Sequence, residues 1–153
     1  MAISPSSPLT GSAITGLTSP TYTLSADSTD SFAKQWAVTA LGGTQAGVST
    51  HSPDLPFTLT FKRPKSFKVL GVKNAITGQY SNVGMNEFKT IVRKSVAIQS
   101  GQYGVAVIEI NVRLPAGSAS YDAVNVKALA SAAGGFVSNQ IQGICDTVLT
   151  GVM

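Results

Sequence analysis

Tyr103-Gly-Val-Ala-Val-Ile-Glu-Ile-Asn-Val-Arg113 decides how this chain of 153 residues folds. Successive side chains of a strand point to opposite faces, so Ala106, Ile108, Ile110 and Val112 share one apolar face while Glu109, Asn111 and Arg113 make the other polar. Leu114-Pro-Ala-Gly117 breaks the strand, and the pattern beyond it is helical. Upstream, nearly everything reads as more strand. The expectation is an α+β domain: an N-terminal β-hairpin and an antiparallel sheet of five to six strands, followed by two C-terminal α-helices that cover one face. The other face is then free to bind something.

Downstream of the strand, Ser120 or Asp122 supplies a helix N-cap. A first helix is expected to run to about Ala133 with Val126 and Leu129 inward, and Gly134-Gly135 to end or bend it. A second, from Phe136 to about Thr150, places Phe136, Ile141, Ile144, Cys145 and Val148 in one broad stripe. Each large side chain buried contributes about 1.5–3 kcal/mol, and the apolar face of the last strand is the natural partner. Two such helices cannot cover five or six strands. A second subunit can, so a dimer is expected, with the helices of each chain over the sheet of the other.

Upstream, residues 1–10 read as an irregular arm, and residues 12–17 and 21–26 as a hairpin turning at Thr18-Ser-Pro20. Asp27 to Phe32 looks like a turn and Lys34 to Leu41 a strand, ended by Gly42-Gly43 and a breaker-rich loop through Pro56. Phe57-Thr-Leu-Thr-Phe-Lys-Arg63 alternates with Phe57, Leu59 and Phe61 on one side and Thr58, Thr60 and Lys62 on the other. Pro64 stops it. A short strand is expected from Phe67 to Val72, then a polar loop from Asn74 to Asn86. From Glu87 to Ile98, Phe88, Val92 and Val96 oppose Lys89, Arg93 and Ser95, and Gln99 to Gln102 is a tight turn.

The length fits one domain, with a sheet at 11–114 and helices at 120–150. A hydrophobic fraction of 43% against 12% charged residues excludes disorder. No secretory signal or apolar stretch of about 20 residues is present, so a soluble protein without a membrane partner is expected. Eight of the eleven basic residues lie between Lys62 and Lys94, where Glu87 is the only acid. That segment suits a polyanion or is a solvated positive face.

Catalysis has little to stand on. His51 is the only histidine and Cys145 the only cysteine, which leaves no metal cluster. His51, Ser52 and Asp54 are adjacent in a Pro-rich loop, and adjacency does not make a triad. Neither Gly-Gly pair carries the lysine of a phosphate-binding loop. No enzyme activity, cofactor, metal or small-molecule substrate is expected. An all-β structural or adhesive subunit, pilin-like or tail-like, is the alternative to a polyanion binder.

The N-terminal hairpin, the consecutive antiparallel strands, Leu59-Thr-Phe-Lys-Arg-Pro-Lys65, Asn111-Val-Arg-Leu-Pro-Ala-Gly117 and the tail Ile144-Cys-Asp-Thr-Val-Leu-Thr-Gly-Val-Met153 together resemble a divergent coat protein of the single-stranded RNA bacteriophages, the levivirus-like group. The resemblance implies a non-enzymatic capsid subunit that forms interlocked dimers with a continuous sheet. Such dimers assemble in the bacterial host cytoplasm into the icosahedral shell of a virion, package single-stranded RNA and bind an RNA hairpin on the inner sheet face.

Matched by side-chain parity, the RNA-facing set is Thr58, Thr60, Lys62, Lys89, Arg93, Glu109, Asn111 and Arg113. The dimer and core set is Ala106, Ile108, Ile110, Val112, Val126, Leu129, Phe136, Ile141, Ile144 and Val148. Glu109 either forms a cross-strand ion pair with Arg113 or Arg93 or accepts from a base amine. Tyr103 and Tyr80 either stack bases or simply pack. Lys65, Lys68 and Lys73 either meet RNA or guard an edge. The chain departs from familiar members in its long Gly42 to Pro56 loop and in the short turn before the last strand.

Overall fold

The computed structural model describes residues 3–153, so Met1 and Ala2 of the expected arm lie outside the described residues. Six strands form one antiparallel sheet in chain order: β1 (Leu9–Thr10), β2 (Thr18–Thr29), β3 (Ala33–Thr44), β4 (Phe57–Lys62), β5 (Met85–Gln99) and β6 (Gln102–Pro115). Three helices follow, α1 (Ser118–Tyr121), α2 (Ala123–Asn139) and α3 (Ile141–Thr150). The α+β order read from the sequence is therefore present, with one more helical turn than expected.

Local chemistry moved several boundaries. Thr18-Ser-Pro20 is not the hairpin turn but the start of β2; the reversal lies at 12–17, closed by Ile14 and Leu17, with Gly16 supplying a φ of 90°. Pro20, which cannot donate to a ladder, sits at a bulge and its carbonyl accepts from Gly11 N–H at 2.9 Å. Asp27 to Thr29 extend β2 instead of turning. Gly42-Gly43 do not end β3, which runs on to Thr44. Gly43 has φ 74°, and a Cβ there would strike the Ser19 carbonyl, so glycine is what lets β2 and β3 approach at that bulge.

Phe67 to Val72 forms no strand. The side chain of Asn86 bonds the backbone of Lys68 on both sides, at 2.7 and 3.1 Å, in place of a ladder. Gly134-Gly135 do not end a helix either, since glycine in a helix costs only about 1 kcal/mol relative to alanine. The break falls at Gln140, and Asp122, not Ser120, caps α2 by accepting from Asn125 N–H at 3.3 Å.

Few side chains are sealed from water. The buried apolar residues are Ala37, Val38, Phe57, Ile91 and Ala116, on β3 to β5 and just past the end of β6, together with Pro20 on β2, and no helical residue is buried. Ile3 and Pro5 share an apolar cleft with Trp36, Leu59 and Phe61, and Phe61, Phe88 and Phe67 make a row of rings at 6.5 and 6.1 Å. The expected packing of the helices on the last strand is not made within one chain. Val126, Ile141 and Val112 are half-buried, whereas Leu129, Phe136, Ile144, Val148, Ala106, Ile108 and Ile110 are exposed. Ile110 and Val112 look across an open cleft at Ala133, Gly134 and Val137 of α2. The chain exposes 10708 Å², whereas a closed monomer of 15.7 kDa would expose about 7,300 Å². The large apolar side chains left exposed lie on β6, on the helices and on the connection between β4 and β5.

Candidate nucleic-acid interface

Strand register sets which side chains share a face. Directly opposed residues point the same way, so rows can be read across β3, β4, β5 and β6. Ala37, Thr58, Arg93 and Val107 form one row; Gln35, Thr60, Ile91 and Glu109 the next; Ala33, Lys62, Lys89 and Asn111 the third; Glu87 opposes Arg113 beyond it. No bulge interrupts β4 to β6 within this patch, the nearest being at Ala97 to Gln99. All eight residues singled out in the sequence therefore stand on one face. Among the described residues none of the helices packs against it, and helix–strand packing is confined to α1 and the end of β6.

Their environments differ. Thr58 and Thr60 are only 4% exposed, and Ile91 is 3% exposed. The two threonines are thus the floor of the face, not projecting groups as expected, Thr58 standing between Ala37 and Arg93 and Thr60 between Gln35 and Ile91. Thr60 Oγ1 donates to Gln35 Oε1 at 3.0 Å, and Gln35 Nε2 donates to Asp27 at 2.6 Å. Gln35 was missed in the sequence; its parity with Ala33 and Ala37 was the available signal. Standing above that floor are Lys62, Lys89, Arg93, Glu109, Asn111 and Arg113, with Lys89 half-buried and the others exposed.

The charges are not evenly spoken for. Glu87, also missed, lies 3.5 Å from both Lys89 Nζ and Arg113. The expected pairing of Glu109 with Arg113 or Arg93 is not formed; the register puts Ile91 opposite Glu109 and Glu87 opposite Arg113. Among the described residues Lys62, Arg93 and Glu109 have no ion-pair partner. Four cations thus face outward against two carboxylates, and two of those cations are unengaged.

The rest of the basic segment points elsewhere. Lys94 lies on the opposite face, 5.1 Å from the centre of the Phe57 ring and donating to Ser49 Oγ at 2.8 Å, and burial there pushes its pKa down. Arg63 and Lys65 stack over Phe32, at 5.3 and 5.7 Å, and Lys73 over Tyr80 at 5.4 Å. Tyr80 and Lys65, Lys68 and Lys73 therefore belong to the β4–β5 connection, not to the sheet face or a strand edge. Tyr103, opposite Ala97, is on the sheet face and 54% exposed.

Among the described residues no three His, Cys, Asp or Glu side chains group to hold a metal, and no helix is long and apolar enough to cross a membrane. An open, polar, cation-bearing sheet face of this kind can neutralise phosphates and offer Asn111 and Gln35 to bases or sugars.

No protein-family model and no curated protein matches the chain. Among solved structures, the chain of a virus-like particle of bacteriophage ESE020 is 50% identical, with a TM-score of 0.95 over 99% of this chain and 100% of that one. A chain from a virus-like particle of Beihai levi-like virus 32 is 15% identical, with a TM-score of 0.48 over 85% of this chain and 88% of that one. Half the residues and the whole fold are shared with the ESE020 subunit, so this chain belongs to the coat proteins of the levivirus-like, single-stranded RNA bacteriophages.

Proposed function

We propose that this capsid subunit dimerises along β6, that its dimers close into an icosahedral shell, and that the face of Lys62, Lys89, Arg93, Asn111 and Arg113 lies inward against single-stranded RNA, with an RNA hairpin as the specific ligand. The register-aligned face carries the reading: one side of the sheet is polar, cationic and uncovered, and the other is largely apolar and faces α2 across an open cleft. Lys62 and Arg93 are unengaged and free to contact phosphates, which releases counterions. Arg113 and Lys89 are held by Glu87, a geometry suited to orienting them.

Dimerisation rests on two further observations. β6 is an edge strand of 14 residues with Ile108 63% and Ile110 42% exposed, and a long apolar edge of this kind pairs with another chain. The surface in excess of a closed monomer is roughly 3,400 Å² per chain, or about 6,800 Å² for a pair, which is more than the roughly 2,000–5,000 Å² that obligate dimers commonly bury and leaves surface for contacts between dimers as well. Pairing β6 with its counterpart makes the sheet continuous and doubles the cationic face, while α2 and α3 gain the partner's apolar sheet surface. The subunit has a structural role, and assembly takes place in the bacterial cytoplasm where the RNA is made. Expression of this chain alone in bacteria tests the proposal: closed particles holding nuclease-protected RNA are expected, and dimers or monomers free of nucleic acid across a range of salt would overturn it.

A further inference from the structure

The connection between β4 and β5, residues 63–84, is the longest in the chain, whereas the β5–β6 turn at the other end of the sheet holds only Ser100 and Gly101. Connections this long are uncommon unless they do something. Its base is fastened to the sheet: Asn86 bonds both backbone groups of Lys68, Ala116 N–H donates to Gly84 O at 2.8 Å, and Phe67 packs on Phe88. Leu70 presses on Gly117 so closely that a Cβ there would lie 2.9 Å from its Cγ.

Residues 73–80 form a small ordered hairpin beyond that base. Asn74 N–H donates to Gln79 O and Gly78 N–H to Asn74 O, each at 2.8 Å, while Asn74 Oδ1 accepts from the N–H groups of Ile76 and Thr77. Apolar side chains stand out in water at its base and tip: Val72, just before it, is 91% exposed and Ile76 95%. Beside it, Phe67, Leu70 and Tyr121 line an apolar groove between the loop base and α1, with Tyr121 96% exposed.

We propose that this hairpin joins neighbouring dimers of the shell, Val72 and Ile76 of one chain entering the Phe67–Leu70–Tyr121 groove of a chain in the next dimer. The inference rests on the shell reading above. In that reading one face of the sheet is committed to RNA, the other to helices and the β6 edge to the dimer partner. The end of the sheet from which this loop projects is among the surfaces left for contact within a shell, and it carries Val72 and Ile76, which are almost fully exposed apolar side chains. Knob and groove are different surfaces of one chain, so their contact is head-to-tail and closes into rings when repeated about an axis. An anionic partner is not favoured, because Lys73 is folded onto Tyr80 and the tip itself is apolar.

The test is Val72→Asp combined with Ile76→Asp in the full chain, expressed beside the unmodified protein. The expected result is at least a tenfold loss of particles by electron microscopy, with dimers retained on size exclusion and RNA-hairpin binding by those dimers unchanged. Particles in normal yield and size would overturn the contact while leaving the shell reading standing. Loss of dimers together with particles would also overturn it, since the hairpin would then support the protomer. No particles from the unmodified chain would remove the shell reading and this contact with it.

Discussion

Replacing Lys62 and Arg93 together by glutamine removes the two cations of the sheet face that have no carboxylate partner among the described residues. A dimer presents each twice, so four phosphate contacts are at stake. For a single strand each phosphate contact contributes about 0.7 to the slope of log affinity against log salt, so the slope should flatten by about 3. At 0.15 M salt the same relation gives a loss of roughly 200-fold, about 3 kcal/mol. The assay is fluorescence anisotropy of a short RNA hairpin titrated with purified dimers, from about 0.05 to 0.4 M salt. Lys89→Gln should flatten the slope less per residue, because Lys89 is already 3.5 Å from Glu87. Lys94→Gln, on the opposite face, should leave it unchanged. An unaltered slope in the double variant, or equal flattening by Lys94→Gln, would refute the choice of face.

Glu109→Gln removes an unpaired carboxylate from that same surface and should tighten binding of random-sequence RNA severalfold at low salt; weaker hairpin binding instead would mark Glu109 as an acceptor for a base amine. Ile108→Asp places a charge on the exposed edge strand where the partner's β6 is expected, and should convert dimers to monomers on sedimentation, whereas persistent dimers would mean that pairing uses another edge. Tyr22, packed edge-on against Phe57 at 5.7 Å, has its pKa raised by burial, so above about pH 10 the unfolded chain releases its phenolic proton more readily than the folded one and stability falls as pH rises. Tyr22→Phe should remove that part of the alkaline loss in denaturant titrations at pH 9 and about pH 11.

How much of this was legible in the sequence depended on regularity. The two faces of β4, β5 and β6 follow from alternation alone because no bulge falls between Phe57 and Lys62, or opposite them, and period two survives there. β2 and β3 were misjudged at their ends, where Pro20, Ser19 and Gly43 meet at a bulge that no alternation announces. Side-chain parity assigns a face but not a height above it. Thr58 and Thr60 are on the expected side yet sunk below Arg93, Gln35 and Lys62, because β-branched threonines are short beside their cross-strand neighbours. Ion pairing was misassigned for a related reason: the partner of Arg113 is 26 residues away and is set by register, which a single strand's pattern does not contain. Gly134-Gly135 looked like a stop, but α2 continues through them and presents a thin side to Ile110 and Val112.

The exposed helices are the clearest case of a pattern that one chain cannot explain. Phe136, Ile144 and Val148 have the spacing of a buried stripe, yet they line an open cleft with Met153. Their partner surface is expected from a second subunit. In the proposed dimer the burial deficit and the apolar β6 edge would be met together, when two chains share a sheet.

A density map of particles assembled from this chain and its packaged RNA tests the central claim most directly. Closed shells are expected with the helices outward and RNA density against the inner face, touching Lys62, Arg93 and Asn111 above the floor of Thr58 and Thr60. RNA density against the helical side, or closed shells in which that sheet face is turned outward, would contradict it.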